Sequence, residues 1–194
     1  MNKIGEIVEA ASTGFTAECY ELHEIPAFGS LVKVSSPAEE IFGIVCQAGT
    51  AGIEPGRHPV ARGKDETSEE AVYQANPQLM KLLRSEFQAL VVGYKIDGKI
   101  YQYLPAKPAH IHAFVQVCSP DEIKQFSESL DFISILLNNR LPIPTEELIA
   151  AGLREMSKAQ RDPHAFLVAG GKALTSILSG DYYRLKTILA RLKQ

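Results

Sequence analysis

The chain has 194 residues, of which 45% are hydrophobic and 22% charged, with a formal net charge of −3; this is globular composition, long enough for one large domain or two small ones. No apolar run approaches the roughly 18 residues of a membrane-spanning helix. Residues 1–76 hold 5 basic and 12 acidic side chains, against 7 and 6 in 77–144 and 8 and 5 in 145–194, and an acidic front half argues against gripping a phosphate backbone.

From the N-terminus, Lys3–Ala10 alternates apolar and polar residues, Ser12-Thr13-Gly14 makes a turn, and Phe15–Leu22 alternates again. Strand-like alternation carrying Glu6 and Glu9 so close to Lys3 is not the pattern of a signal peptide. Pro26 and Gly29 punctuate the chain before Leu31–Val34 and the more continuously apolar Ile41–Cys46. Short β-prone runs at this spacing predict a meander or small barrel rather than βαβ units.

Residues 48–59 contain three glycines and two prolines, which predicts an exposed loop. Thr67-Ser68-Glu69-Glu70 can open a short helix. Asn76-Pro77 reads as an N-cap followed by proline at the first helical position, a helix that would turn Leu79, Met80, Leu82 and Leu83 inward. Phe87–Ile96, Asp97-Gly98 and Lys99–Leu104 then form the strongest local signal. An Asp-Gly pair between two β-prone runs specifies a type I′ hairpin, whose two turn residues both take positive φ. Pro105 and Pro108 end that strand, and Ile111–Val117 supplies another. Six of these seven runs suffice to close a small barrel.

Ser119-Pro120-Asp121-Glu122 is a helix start, with a serine cap, proline at the first position and acids in the first turn. Helical periodicity follows in Phe126, Leu130, Ile133, Leu136 and Leu137. Pro142 and Pro144 break it and Thr145 restarts it. Leu148, Ile149, Leu153 and Met156 form one stripe, Phe166, Leu167, Leu174, Ile177 and Leu178 another. Tyr182, Leu185, Ile188, Leu189 and Leu192 mark the last helix. The expected fold is α+β. An antiparallel barrel of about six strands spans 1–118 with a loop and helix insertion at about 49–85, and an α-helical bundle spans 119–194.

Candidate chemistry is sparse. Cys19, Cys46 and Cys118 are widely spaced inside or beside β runs, which suggests buried free thiols and a reducing, cytoplasmic compartment. His110 and His112, at i and i+2 on a predicted strand, would point to one face and could offer two imidazoles to a metal, with His58, His23 or a loop glutamate completing the set. The competing reading leaves both histidines on a solvated rim. Gly170-Gly171-Lys172 resembles the end of a P-loop, but Phe166 and Ala173 replace the glycine and hydroxyl residue that the motif requires; paired glycines inside helical periodicity suit close helix packing instead. Tyr20, Tyr101 and Tyr103 fall on predicted strands, either as filler or as a stacking surface. Arg184, Lys186, Arg191 and Lys193 read as a solvated basic helix face, with nucleic-acid association as the weaker alternative. No nucleophile elbow, metalloprotease helix or carboxylate pair is recognisable, so no cofactor is expected.

Residues Ile4–Cys19, continuing through Phe28–Val34 and Gly43-Ile44-Val45, resemble the HAS barrel shared by HerA-type DNA translocases and the catalytic-ring subunits of ATP synthase. Ala89–Tyr94, Tyr101–Pro105 and Ser127–Phe132 extend the likeness to small standalone HAS-barrel proteins of cyanobacteria. In the larger relatives the barrel precedes an ATPase core, of which this sequence carries no P-loop. The resemblance implies assembly and docking without catalysis: a protein-interaction module that binds a protein partner or forms a homo-oligomer. The expected contact residues are Pro55, Arg57 and His58 in the Gly49–Arg62 loop and Pro105, Pro108 and His110 on the rim. The alternative is a metal- or small-molecule-binding protein using His110, His112 and His58.

Overall fold

The computed structural model describes residues 3–54, 56, 58–139 and 141–192. Seven strands, β1 (Gly5–Ala11), β2 (Gly14–Cys19), β3 (Leu31–Ser35), β4 (Glu40–Gly52), β5 (Leu83–Ile96), β6 (Lys99–Tyr101) and β7 (Phe114–Val117), pair in the order β2-β1-β7-β3-β4-β5-β6. A further antiparallel pairing of β2 with β5, from Gly14↔Leu90 to Glu18↔Glu86, closes six of them into a barrel. The seventh, β6, pairs only with the far end of β5. Asp97 and Gly98 take φ of 49° and 78°, the type I′ geometry expected of that pair.

Each strand's patterning tells which of its faces is covered. Ile7, Phe15, Ala17, Val32, Val34, Ile41, Val45, Phe87, Ala89, Val91 and Val115 fill the barrel. β1 and β2 alternate because water meets their outer face. β3, β4 and β5 read as continuous apolar runs because Leu31, Phe42, Ile44, Leu90 and Val92 point outward into a second core beneath the helices. A strand buried on both faces has no polar side to alternate with.

Helices α1 (Glu69–Ala75) and α2 (Leu79–Leu82) lie in the insertion. α3 (Pro120–Phe126), α4 (Phe132–Leu137), α5 (Thr145–Ser157), α6 (Pro163–Ile177) and α7 (Tyr182–Leu192) follow the barrel. Ser119 caps α3 in a full capping box with Glu122. Phe126, Phe132, Ile133, Leu136, Leu148, Ile149, Leu153 and Met156 pack on the outward side chains of β3–β5 to form that second core, which α7 joins through Leu185, Ile188 and Leu192. Gly29, at φ +87°, lies where the two layers come close together: a Cβ there would lie 2.7 Å from the backbone of Ala151 in α5. Gly170 and Gly171 are interior to α6, where added Cβ atoms would come within 3.2 Å of Leu153 and Leu189. They serve helix packing, in a setting with no resemblance to a phosphate loop. No helix among the described residues is long and apolar enough to cross a membrane.

Two polar contacts fasten the layers. Lys33 points outward from β3, where its side chain is only 7% exposed, and its Nζ meets Glu122 of α3 and, at 3.2 Å, Glu40 of β4. Burial works against the Lys33 charge, but the hydrogen bonds that it donates to Glu122 and Glu40 outweigh it and leave the pKa raised. Gln102 explains why β6 stops at Tyr101 instead of running to Leu104. Its Nε2 donates to the carbonyls of Phe126 (2.6 Å) and Ser129 (2.9 Å), and its Oε1 accepts from Phe132 N (3.0 Å). The chain leaves the sheet to close the α3–α4 turn. The last barrel strand likewise begins at Phe114, three residues later than its composition suggests, because residues 111 and 112 form a turn with His112 at φ 66°.

Candidate functional site

The insertion is the most exposed part of the barrel region. Its first residues are not loop: Gly49–Gly52 extend β4 and pair with Leu83–Glu86 of β5, so the excursion runs from Ile53 to Leu82. Ser68 caps α1 as expected, its Oγ accepting from Ala71 N at 3.2 Å. Asn76, expected to start the next helix, instead ends α1, its backbone N–H bonding to Val72 and Tyr73. Arg62 Nη1 donates to the Asn76 side chain at 3.3 Å, tying the loop to α1.

The inward orientation expected for Leu79, Met80, Leu82 and Leu83 does not hold. Met80 is 51% and Leu82 44% exposed, and Leu79 and Leu83 are half-buried. A helix of four residues has no stripe to present to the barrel core, which Phe87 and its neighbours already fill. Leu79, Leu82 and Leu83 instead wall a cleft with Ile53, Pro59 and Val60, with His58 and Arg62 also lining it. Val60 is 74% exposed. Contiguous exposed apolar side chains of this size mark interaction surfaces. Of the expected contact residues, His58 lines this cleft, whereas Pro55 and Arg57 lie outside the described residues.

A polar cluster that no sequence pattern signals pins the insertion to the barrel end. Thr50 and Ser85 are cross-strand neighbours on the inward face, with hydroxyls 2.7 Å apart. His23, in left-handed backbone at φ 69°, donates its N–H to Ser85 Oγ at 2.8 Å. Its ring reaches Thr50 Oγ1 at 3.4 Å and Tyr73 Oη of α1 at 2.8 Å. Tyr73 stands edge-on to His23, with ring centroids 5.8 Å apart. Residues 23, 50, 73 and 85 are scattered in sequence, and only closure of the barrel brings them together. The cluster holds α1, which has no buried residue of its own, across the mouth.

The rim segment lies at the other end of the barrel. Pro105 is buried and is no contact residue, a correction to its expected role; packing holds it in place as the chain turns back from the sheet. Pro108 and His110 are exposed. His110 and His112 do not share a strand face, because both precede β7. His112 Nδ1 sits 3.0 Å from Glu6 Oε1, and that bond holds the Glu6 carboxyl below its ordinary pKa. His58 belongs to the opposite end of the barrel, so the three histidines do not converge. Among the described residues no group of three or more histidine, cysteine or acidic side chains could hold a metal.

The remaining candidates have structural partners. Cys19, Cys46 and Cys118 are buried and free, and burial raises all three thiol pKa values, that of Cys19 to about 11. Arg184 bonds to Glu146, to Leu137 O at 3.2 Å and to Thr145 Oγ1 at 2.7 Å, while Arg191 bonds to Glu147 and to Thr187 O. Both clamp α7 to the start of α5 and are no solvated basic face; Lys193 lies outside the described residues. Tyr101 stacks on Tyr94 with centroids 5.2 Å apart, and Tyr103, beyond the end of β6, meets both rings edge-on. Tyr20 lies just past β2 and donates to Glu6 at 3.2 Å. No family model and no curated protein matches this chain.

Proposed function

We propose that the protein is a non-enzymatic docking module, a barrel of the HAS type that presents its insertion to a protein partner. The observation that carries this reading is the uncovered apolar cleft of Ile53, Val60, Leu79 and Leu82, held at one barrel mouth by the His23–Tyr73 contact. Apolar side chains left in water gain roughly 25 cal/mol per Å² when a partner covers them. A cleft on a tethered insertion also loses little conformational freedom on binding. The frame beneath it is rigid and filled, so the insertion can vary without disturbing the barrel. The resemblance to HAS barrels supports the same role, since assembly and docking are what such a barrel contributes apart from a motor. Buried free thiols suit a reducing cytoplasm.

The test is co-purification from native lysate with mass-resolved identification, comparing the native chain with an Ile53→Ser/Val60→Ser/Leu82→Ser variant. All three positions are exposed, so the variant retains its fold by circular dichroism. A partner recovered by the native chain and lost with the variant is the expected result; an unchanged set of partners overturns the assignment.

A further inference from the structure

On its outer face the barrel carries a polar groove where β2, β5 and β4 lie side by side. Phe15, Ala17, Phe87 and Ala89 point into the barrel, so alternation turns Thr16, Glu86 and Gln88 outward. On β4 a register shift between Val45 and Gln47 sets Gln47 opposite Gln88, which is how a bulge re-aims a side chain. The result is a cross-strand row of Thr16, Gln88 and Gln47, followed along the sheet by Glu86 opposite Gly49 and by Arg84 opposite Ala51. The groove has a volume of about 180 Å³, and all of these residues except Glu18's neighbours on β2 beyond Thr16 contribute to its walls. A Cβ at Gly49 would meet nothing within 4 Å, so glycine leaves a notch between Gln47 and Ala51 where a side chain would otherwise stand.

One atom in this groove is left out of balance. Arg84 Nε is shut off from water and has no hydrogen-bond acceptor among the described residues. Glu86 Oε1 stands 3.2 Å away, near enough for an ion pair but off the axis of the N–H. A sheltered donor without an acceptor costs more than a hydrogen bond returns, so this one calls for an oxygen that the chain does not supply. The side chains of Thr16, Gln47 and Gln88 likewise have no hydrogen-bond partner among the described residues. Charge and size narrow what fits. Glu18 faces Glu86 across the β2–β5 pair, so carboxylates outnumber the one guanidinium and turn away phosphate and carboxylate ligands. A nucleobase needs an aromatic ring to stack on, and Phe15 and Phe87 of these strands are buried inside the barrel. The volume is below the usual 300–1,000 Å³ or so of pockets for drug-sized ligands.

We infer that this groove binds a single uncharged sugar ring. Each hydroxyl of such a ring both donates and accepts. One hydroxyl oxygen accepts from Arg84 Nε, its neighbour donates to the Glu86 carboxylate, and the amides of Gln47 and Gln88 offer the same pairing of donor and acceptor to the far side of the ring. The Gly49 notch gives the ring its room. The groove shares no lining residue with the apolar cleft, so the site stands or falls apart from the docking role above.

Nitrogen–proton correlation NMR of the full chain reads this directly, with methyl glucoside, methyl galactoside and N-acetylglucosamine each titrated to about 50 mM. The expected result is a saturable shift of the Gln47 and Gln88 side-chain amide signals with at least one of these sugars, at a Kd of about 1–10 mM. Glucuronate, which adds a carboxylate to the ring, binds more weakly than methyl glucoside. Gln88→Ala and Arg84→Met each weaken binding roughly tenfold or more, whereas Gln125→Ala, an exposed amide on α3, leaves it unchanged. Circular dichroism melts confirm that the variants fold, and a Thr16→Ala/Gln47→Ala variant repeats the loss without touching Arg84. No saturable shift with any of the sugars, shifts confined to other surfaces, glucuronate binding as tightly as methyl glucoside, or an affinity unchanged by the Gln88 and Arg84 substitutions overturns the inference.

Discussion

Replacing Lys33 by methionine tests how the helical layer is held to the barrel. The side chain is 7% exposed and its ammonium serves two carboxylates, Glu40 at 3.2 Å and Glu122. At that distance and an effective dielectric near 20, the Glu40 pair alone is worth about 5 kcal/mol before desolvation. Methionine fills the stem volume but strands two partly buried carboxylates beside each other. Both are 27–29% exposed, so water relieves part of the cost, and the expected net loss is about 2–3 kcal/mol at pH 7. The pH dependence has a definite sign. Burial raises the Glu122 pKa, but the Lys33 bond and the Ser119 cap outweigh it and hold it below 4.5. Its stabilisation is therefore complete above the unfolded value and disappears as pH falls through the lower folded value. In the variant the Glu122 carboxyl is no longer held down and takes up a proton more readily, so the gap between the two proteins closes as pH drops below about 4.5. Urea unfolding followed by far-UV circular dichroism at pH 7 and pH 4 measures both. A loss under about 0.5 kcal/mol at pH 7, or an equal loss at pH 4, would refute the reasoning.

Two further substitutions probe the same junction. Gly29→Ala forces a side chain into left-handed backbone and to within 2.7 Å of Ala151; a loss of about 2–4 kcal/mol is expected, seen as a drop of roughly 5–12 °C in Tm by calorimetry, and an unchanged Tm would mean that the layers are not in close contact there. Gln102→Leu removes three hydrogen bonds at the α3–α4 turn and should cost about 2–3 kcal/mol, with hydrogen exchange at Phe132 accelerating more than exchange in the barrel strands.

The sequence announces local structure well and tertiary convergence poorly, for physical reasons visible at single residues. Asp97-Gly98 dictates its hairpin because both residues must adopt positive φ, and Ser119-Pro120-Asp121-Glu122 dictates a cap because each residue type has one local use. The same rules mislead at Asn76, since asparagine can end a helix as readily as begin one. They mislead again at His112, where β-prone neighbours hide a turn. Leu79 to Leu83 look like a buried stripe until the four-residue length of α2 removes the partner such a stripe needs. Arg184 and Arg191 look solvated until α5 brings Glu146 and Glu147 beneath them. The cluster of His23, Thr50, Tyr73 and Ser85 could not be foreseen, because no pattern in the chain ties together positions that only barrel closure makes neighbours.

The pairing of β7 between β1 and β3 governs how this chain must fold during synthesis. Gly5 meets Val115 and Val32 meets Val117, so two flanking strands emerge from the ribosome long before the one that joins them. Until residue 117 is available, β1 and β3 end in unpaired edges, the kind of surface that invites pairing with another chain. Contacts this distant in sequence also make closure slow compared with formation of the β5–β6 hairpin. The capped start of α3 at Pro120 follows almost at once, so the strand that seals the barrel is delivered together with the first of the helices that cover it.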